Sequence, residues 1–146
     1  MNTPVNLPRL PSREDIAMLD VFPGLGLRDI DVVSTPQQAA QALATLGALQ
    51  VVGFDTESKP TFLKNETSTG PHTLQLATLD RAWVFQLHHS ACRAAAAQLL
   101  PSTTPVTVAF GLSGDRTPIR RTPGIAPAPV VDLDTVFRQR GYRREV

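Results

Sequence analysis

Gln50-Val51-Val52-Gly53-Phe54-Asp55-Thr56-Glu57 is the stretch on which the reading of this chain turns. From Gln50 to Asp55 the run is short, almost continuously apolar and closed by a carboxylate, the pattern of a strand buried on both faces and central in its sheet. Residues i and i+2 of an extended chain project to the same side, so Asp55 and Glu57 can converge on one hard cation. A bare Asp-x-Glu is common by chance and a strand-end Asp often caps a turn, so the surrounding elements decide what the pair means.

Upstream, Thr35-Pro36-Gln37-Gln38 opens a helix: Thr35 can cap, Pro36 suits the first helical position, and Gln38 completes a capping box. Ala39, Ala42, Leu43 and Leu46 share one face of it, and Gly47 supplies a stop. Residues 1–33 mix prolines and glycines with charges and predict an irregular leader outside the core, which leaves 34–146 as the domain. Downstream of a polar loop, 58–71, His72 to Thr78 and Ala82 to Leu87 read as strands joined by a Leu79-Asp80-Arg81 hairpin turn. Ser90 then caps a helix running to Leu100, and Val106 to Leu112 forms a fourth strand. A short helical stretch at Ile119 to Arg121, a Pro-rich connection and a fifth strand at Val130 to Leu133 follow, and Asp134 caps a last helix through Arg140. A hairpin set followed by strands alternating with helices predicts an α/β fold, a mixed five-stranded sheet with flanking helices.

Asp115 comes directly after the fourth strand, through Gly111-Leu112-Ser113-Gly114. If that strand lies beside the first, three carboxylates can meet. Packed, uncompensated anions repel and are costly to desolvate, so such a cluster points to divalent cations. Mg²⁺ or Mn²⁺ suits an all-oxygen site, whereas zinc would recruit His or Cys, which are not suitably spaced here.

The totals fit one compact domain: 146 residues, 42% of them apolar, with a formal charge of +1. Arginines concentrate after residue 115, at Arg116, Arg120, Arg121, Arg138, Arg140, Arg143 and Arg144, so that half can face an anion or simply be solvated. Cys92 is the single cysteine and excludes an intramolecular disulfide. No apolar run approaches the length needed to cross a bilayer, and a cytoplasmic protein without a membrane partner is the expectation.

Three segments together resemble the DEDD 3′-5′ exonucleases, in particular the branch containing ribonuclease D and the Werner-type exonuclease domain. They are VVGFDTES at 51–58, HTLQLAT at 72–78 followed by AWVFQL, and VAFGLSGD at 108–115, with 60 residues separating Asp55 from Asp115. The resemblance implies a ribonuclease H-like fold in which Asp55, Glu57 and Asp115 bind two Mg²⁺ or Mn²⁺ ions. It further implies hydrolysis of single-stranded DNA or RNA from the 3′ end, with release of nucleoside monophosphates. Thr56, through its backbone N–H, and Phe62 or Phe54, through a ring, are candidate contacts to the terminal nucleotide. Gln75 is a candidate support for the carboxylates, and His72, His88 and His89 read as surface histidines.

The family's third motif, a Tyr or His separated by three residues from an Asp, has no match: Tyr142 meets Val146, His72 meets Leu76, His88 meets Cys92 and His89 meets Arg93. The expectation is therefore a domain lacking its C-terminal helices, with a sheet face left for a homo-oligomer or a partner to cover. Two other readings stand beside the nuclease. One is a degenerate exonuclease fold serving as a non-catalytic nucleic-acid-binding or assembly module. The other is a related metal nuclease with Asp132 or Asp134 as substitute carboxylate.

Overall fold

The structure is a computed structural model, and it describes residues 10–62, 64–67, 69–111 and 129–142. Its elements are α1 (Arg13–Ala17), β1 (Ile30–Val33), α2 (Pro36–Gly47), β2 (Val51–Glu57), β3 (Thr73–Ala77) and β4 (Ala82–Gln86). Then come α3 (Ser90–Leu99), β5 (Val106–Ala109), β6 (Val130–Asp132) and α4 (Leu133–Gln139). The strands form one mixed sheet in the order β1-β4-β3-β2-β5-β6. β2, β3 and β4 are an antiparallel meander, while β1 joins β4, and β5 and β6 extend from β2, all in parallel.

The predicted mixed α/β architecture is present, with six strands where five were expected. The additional strand is Ile30–Val33, which lies in the stretch expected to be an irregular leader and pairs Val33 with Phe85. Its signal is faint because Asp31 interrupts a four-residue run. Only Val33 in it is buried, where its carbonyl accepts from Cys92 Sγ at 3.1 Å. Arg81 of the β3–β4 turn reaches across to Asp31 at 2.7 Å and holds the edge strand from outside. The turn itself is tied as predicted, with Thr78 N–H donating to Arg81 O at 2.8 Å.

Helix α2 starts where the sequence places it. Thr35 Oγ1 accepts from Gln38 N–H at 3.2 Å, and Gln38 Oε1 accepts from Thr35 N–H at 3.1 Å, so two orphan donors of the first turn are satisfied reciprocally. Ala39, Ala42 and Leu46 are its buried face. Helix α3 presents Cys92, Ala95, Ala96 and Leu99, and the small alanines let the two helices pack side by side on the sheet. His89, rather than Ser90, occupies the N-cap position of α3, without a side-chain capping bond, and Ser90 is the first helical residue. At the other end Asp132, rather than Asp134, caps α4, because β6 runs into the helix without a loop. The short helix expected at 119–121 and the Pro-rich connection lie outside the described residues.

Both helices cover one side of the sheet. Val52, Phe54, Thr56, Leu74, Leu76, Trp83, Phe85, Thr107 and Ala109 face them and are buried. Along β2 the burial strictly alternates, so Val51 is 56% exposed while Val52 is buried. This corrects the expectation of a strand buried on both faces: among the described residues, β2 is covered on one side only. The apolar run QVVGF misleads because Gly53 carries no side chain and Val51 lies on the open side.

Candidate active site

β2 and β5 are parallel, so both deliver their C-terminal ends to the same edge of the sheet. That edge is where Asp55 and Glu57 stand. With Phe54 only 6% and Thr56 9% exposed, the side chains of Asp55 and Glu57 are assigned by alternation to the open face, and both residues are exposed. The predicted sharing of one face by these two carboxylates is thus present in the fold. Successive same-face positions lie roughly 6.5–7 Å apart along a strand, within reach of a common cation once the Glu side chain leans along the strand.

On this face Asp55 pairs in register with Gln75 of β3, and Glu57 with Thr73. Directly opposed residues of an antiparallel pair have their Cβ atoms about 4.5–5.5 Å apart, so Gln75 is the cross-strand neighbour of Asp55. Asp55 Oδ1 accepts from the N–H of Thr56 at 2.8 Å. That bond engages the backbone donor expected to meet a terminal nucleotide, and the Thr56 side chain faces the core. Phe54 is likewise a core ring. Phe62, in the loop after β2, is 83% exposed, and its own N–H donates to Glu66 Oε2 at 3.0 Å.

Asp115 lies outside the described residues. Among the described residues no group of three or more His, Cys, Asp and Glu is placed to hold a metal ion, and the ion pairs, Arg81 with Asp31 and Arg138 with Asp134, do not involve Asp55 or Glu57. Exposure keeps the two carboxylates hydrated, so burial does not by itself demand a cation. What makes the pair a fit for one is its chemistry, two hard anionic oxygen donors on one face with an amide beside them. Asp132, weighed as a substitute ligand, has its Oδ1 committed to the N–H groups of Asp134 at 3.0 Å and Gly111 at 2.9 Å.

Two features escaped the sequence. Val108 pairs with Gly53, so continuing that register places Phe110 beside Asp55, and Phe110 is 66% exposed. Phe110 stacks at a tilt on Phe137 of α4, which meets Tyr142 edge-on, with centroids 6.4 and 5.5 Å apart. Together with Leu10, Pro11, Asp134 and Arg138 they line a cleft of about 840 Å³ at the same edge. The alternation of VTVAF contains the signal for Phe110, but only the pairing with β2 gives it meaning. The second feature is His72, expected to be a surface histidine, which is half-buried and bonded on both ring nitrogens.

No protein-family model matches the sequence, and no curated protein matches it significantly. Solved structures do match. The Aedes aegypti Nibbler EXO domain superposes with a TM-score of 0.62 at 20% identity over 79% of this chain and 57% of that one. Trypanosoma brucei RNase D in complex with RNA U12 gives 0.61 at 17% identity over 71% and 37%. The EXD2 exonuclease domain soaked in Mg and GMP gives 0.58 at 19% identity over 74% and 57%. The chain therefore shares the fold of these nuclease domains, and it spans less than two thirds of each of these structures.

Proposed function

We propose that this chain is a metal-dependent 3′-5′ exonuclease domain that hydrolyses single-stranded nucleic acid, with Asp55 and Glu57 as metal ligands and catalytic residues. One observation carries the proposal: in an exonuclease fold, two carboxylates share the open side of the sheet at the C-terminal end of β2. Asp115 is assigned as the third ligand; it stands four residues beyond Gly111, within roughly 14 Å of extended chain. The EXD2 domain soaked in Mg and GMP and the RNase D complex with RNA support Mg²⁺ and a nucleotide strand as the ligands; Mn²⁺ suits the same oxygen donors.

A divalent cation held by these carboxylates would supply a Lewis acid that acidifies water and stabilises the leaving oxygen. In the hydrolysis, the water oxygen forms a new bond to the last phosphorus, the bond from that phosphorus to the 3′-oxygen of the preceding nucleotide breaks, and that oxygen takes up a proton given up by the water. Asp55 and Glu57 contribute the negative charge that fixes the cation. Gln75, in register with Asp55 on the neighbouring strand, is the polar residue placed to support that carboxylate. Phe110 and Phe62 are exposed rings on which a base can stack, and such stacking contributes about 1–3 kcal/mol per base.

Digestion of a 5′-labelled single strand with Mn²⁺ tests the reading. The expected result is a ladder shortening from the 3′ end, abolished by EDTA and by Asp55→Asn. Folded wild-type protein that binds the strand and leaves its length unchanged would replace the enzyme with a binding module.

A further inference from the structure

His72 precedes β3 and is bonded on every side. Its N–H donates to Glu57 O at 2.8 Å and its carbonyl accepts from Leu87 N–H at 2.9 Å, so the main chain is locked between β2 and β4. Its ring does something separate. Nδ1 accepts from the N–H of Lys59 at 2.8 Å, and Nε2 lies 3.5 Å from Thr69 Oγ1. Because the Lys59 amide can only donate, Nδ1 must be the acceptor, which places the ring proton on Nε2 and makes it the donor toward Thr69. One side chain thereby ties the start of the loop after β2 to a residue near its end.

Every residue of the segment held by this ring, from Ser58 to Phe62, is exposed, so burial of its own side chains does not fix it. It nonetheless carries a cation, Lys59, and an unburied ring, Phe62, within five residues of Glu57. We infer that His72 is a positioning residue: its imidazole holds residues 58–62 beside the carboxylate edge, so that this segment contacts the phosphates and bases of a single strand. The strand as ligand rests on the function proposed above; the tether does not.

The test separates these two parts. His72→Asn keeps an acceptor where Nδ1 stands, His72→Phe keeps a ring without one, and His72→Gln moves the acceptor toward the Nε2 position. Amide hydrogen exchange of Lys59 reads the tether, and fluorescence anisotropy with labelled oligothymidylate in EDTA reads strand binding without cleavage. Loss of a hydrogen bond of ordinary net strength corresponds to roughly a fivefold to tenfold change. His72→Phe and His72→Gln are accordingly expected to speed Lys59 exchange and to weaken oligothymidylate binding by about that factor. His72→Asn stays within about twofold of wild type in both, the rescue that a space-filling role does not give. Unchanged Lys59 exchange in both His72→Phe and His72→Gln, or a His72→Asn protein as loose as His72→Phe, overturns the inference. Faster exchange with unaltered binding also overturns the contact to the strand. Wild type that binds no oligothymidylate sinks the function proposed above and the strand contact with it, while the exchange arm still decides the tether.

Discussion

The two faces of the sheet obey different rules. The face under α2 and α3 is filled by Val33, Val52, Phe54, Leu74, Leu76, Trp83 and Phe85, and among the described residues its buried polar side chains are Thr56 and Thr107. The open face carries Asp55, Glu57, Gln75 and Thr73 in two adjacent rows, with Phe110 exposed at the same edge. One strand, β2, supplies both sets through simple alternation. Residues that hold the fold and residues that would act on a ligand are therefore neighbours in sequence and nearly independent in energy, since their side chains point apart.

Substitutions on the covered face should cost stability and spare specific function in whatever protein remains folded. Leu46 is fully buried, and Leu46→Ala is expected to lower the unfolding free energy by about 2–5 kcal/mol, measured by urea denaturation. The open face should behave in reverse. Asp55→Asn is expected to reduce phosphodiester hydrolysis by roughly 100-fold or more, since several kcal/mol of charge stabilisation are lost, while the urea midpoint stays in place. Phe110→Ala should weaken oligonucleotide binding by about 1–3 kcal/mol with little change in unfolding. A large loss of stability in Phe110→Ala would mean that the aromatic cluster belongs to the core, and the contrast between the faces would fail at that edge.

Smaller effects sharpen the boundary. Thr35→Ala removes the cap of a helix that lies wholly on the covered side, and about 1 kcal/mol of stability should go with it, leaving activity unaltered. The Arg81 guanidinium bonded to Asp31 holds that carboxyl below the usual range. A depressed folded-state value adds stability above the unfolded carboxylate value, lost as pH falls through the folded one; acid titration of wild type against Asp31→Asn should show a small difference near neutrality that vanishes in strong acid.

Much of this was legible in the chain. The capping box at Thr35, the hairpin at Leu79-Asp80-Arg81 and the carboxylates at the end of β2 are local patterns, and local hydrogen bonding or alternation makes each of them. What the sequence hid depends on partners far away. β1 is a strand because Phe85 and Arg81 receive it, the one-sided burial of β2 depends on where both helices settle, and Phe110 gains its place only from the pairing of Val108 with Gly53. His72 looks like any strand-end histidine until Lys59, thirteen residues earlier, bonds to it. Asp115, central to the resemblance, lies outside the described residues, so its place among the carboxylates is a proposal.

The most direct test of the central claim, that the open face at the end of β2 is a cation site, is to titrate ¹⁵N-labelled protein with Mn²⁺ and follow paramagnetic broadening. Amide signals of Asp55 to Glu57 and of Thr73 to Gln75 should disappear first, those of α2 and the N-terminal half of β2 should persist, and Asp55→Asn should abolish the selectivity. Broadening that starts elsewhere, or that is unchanged in Asp55→Asn, would contradict it.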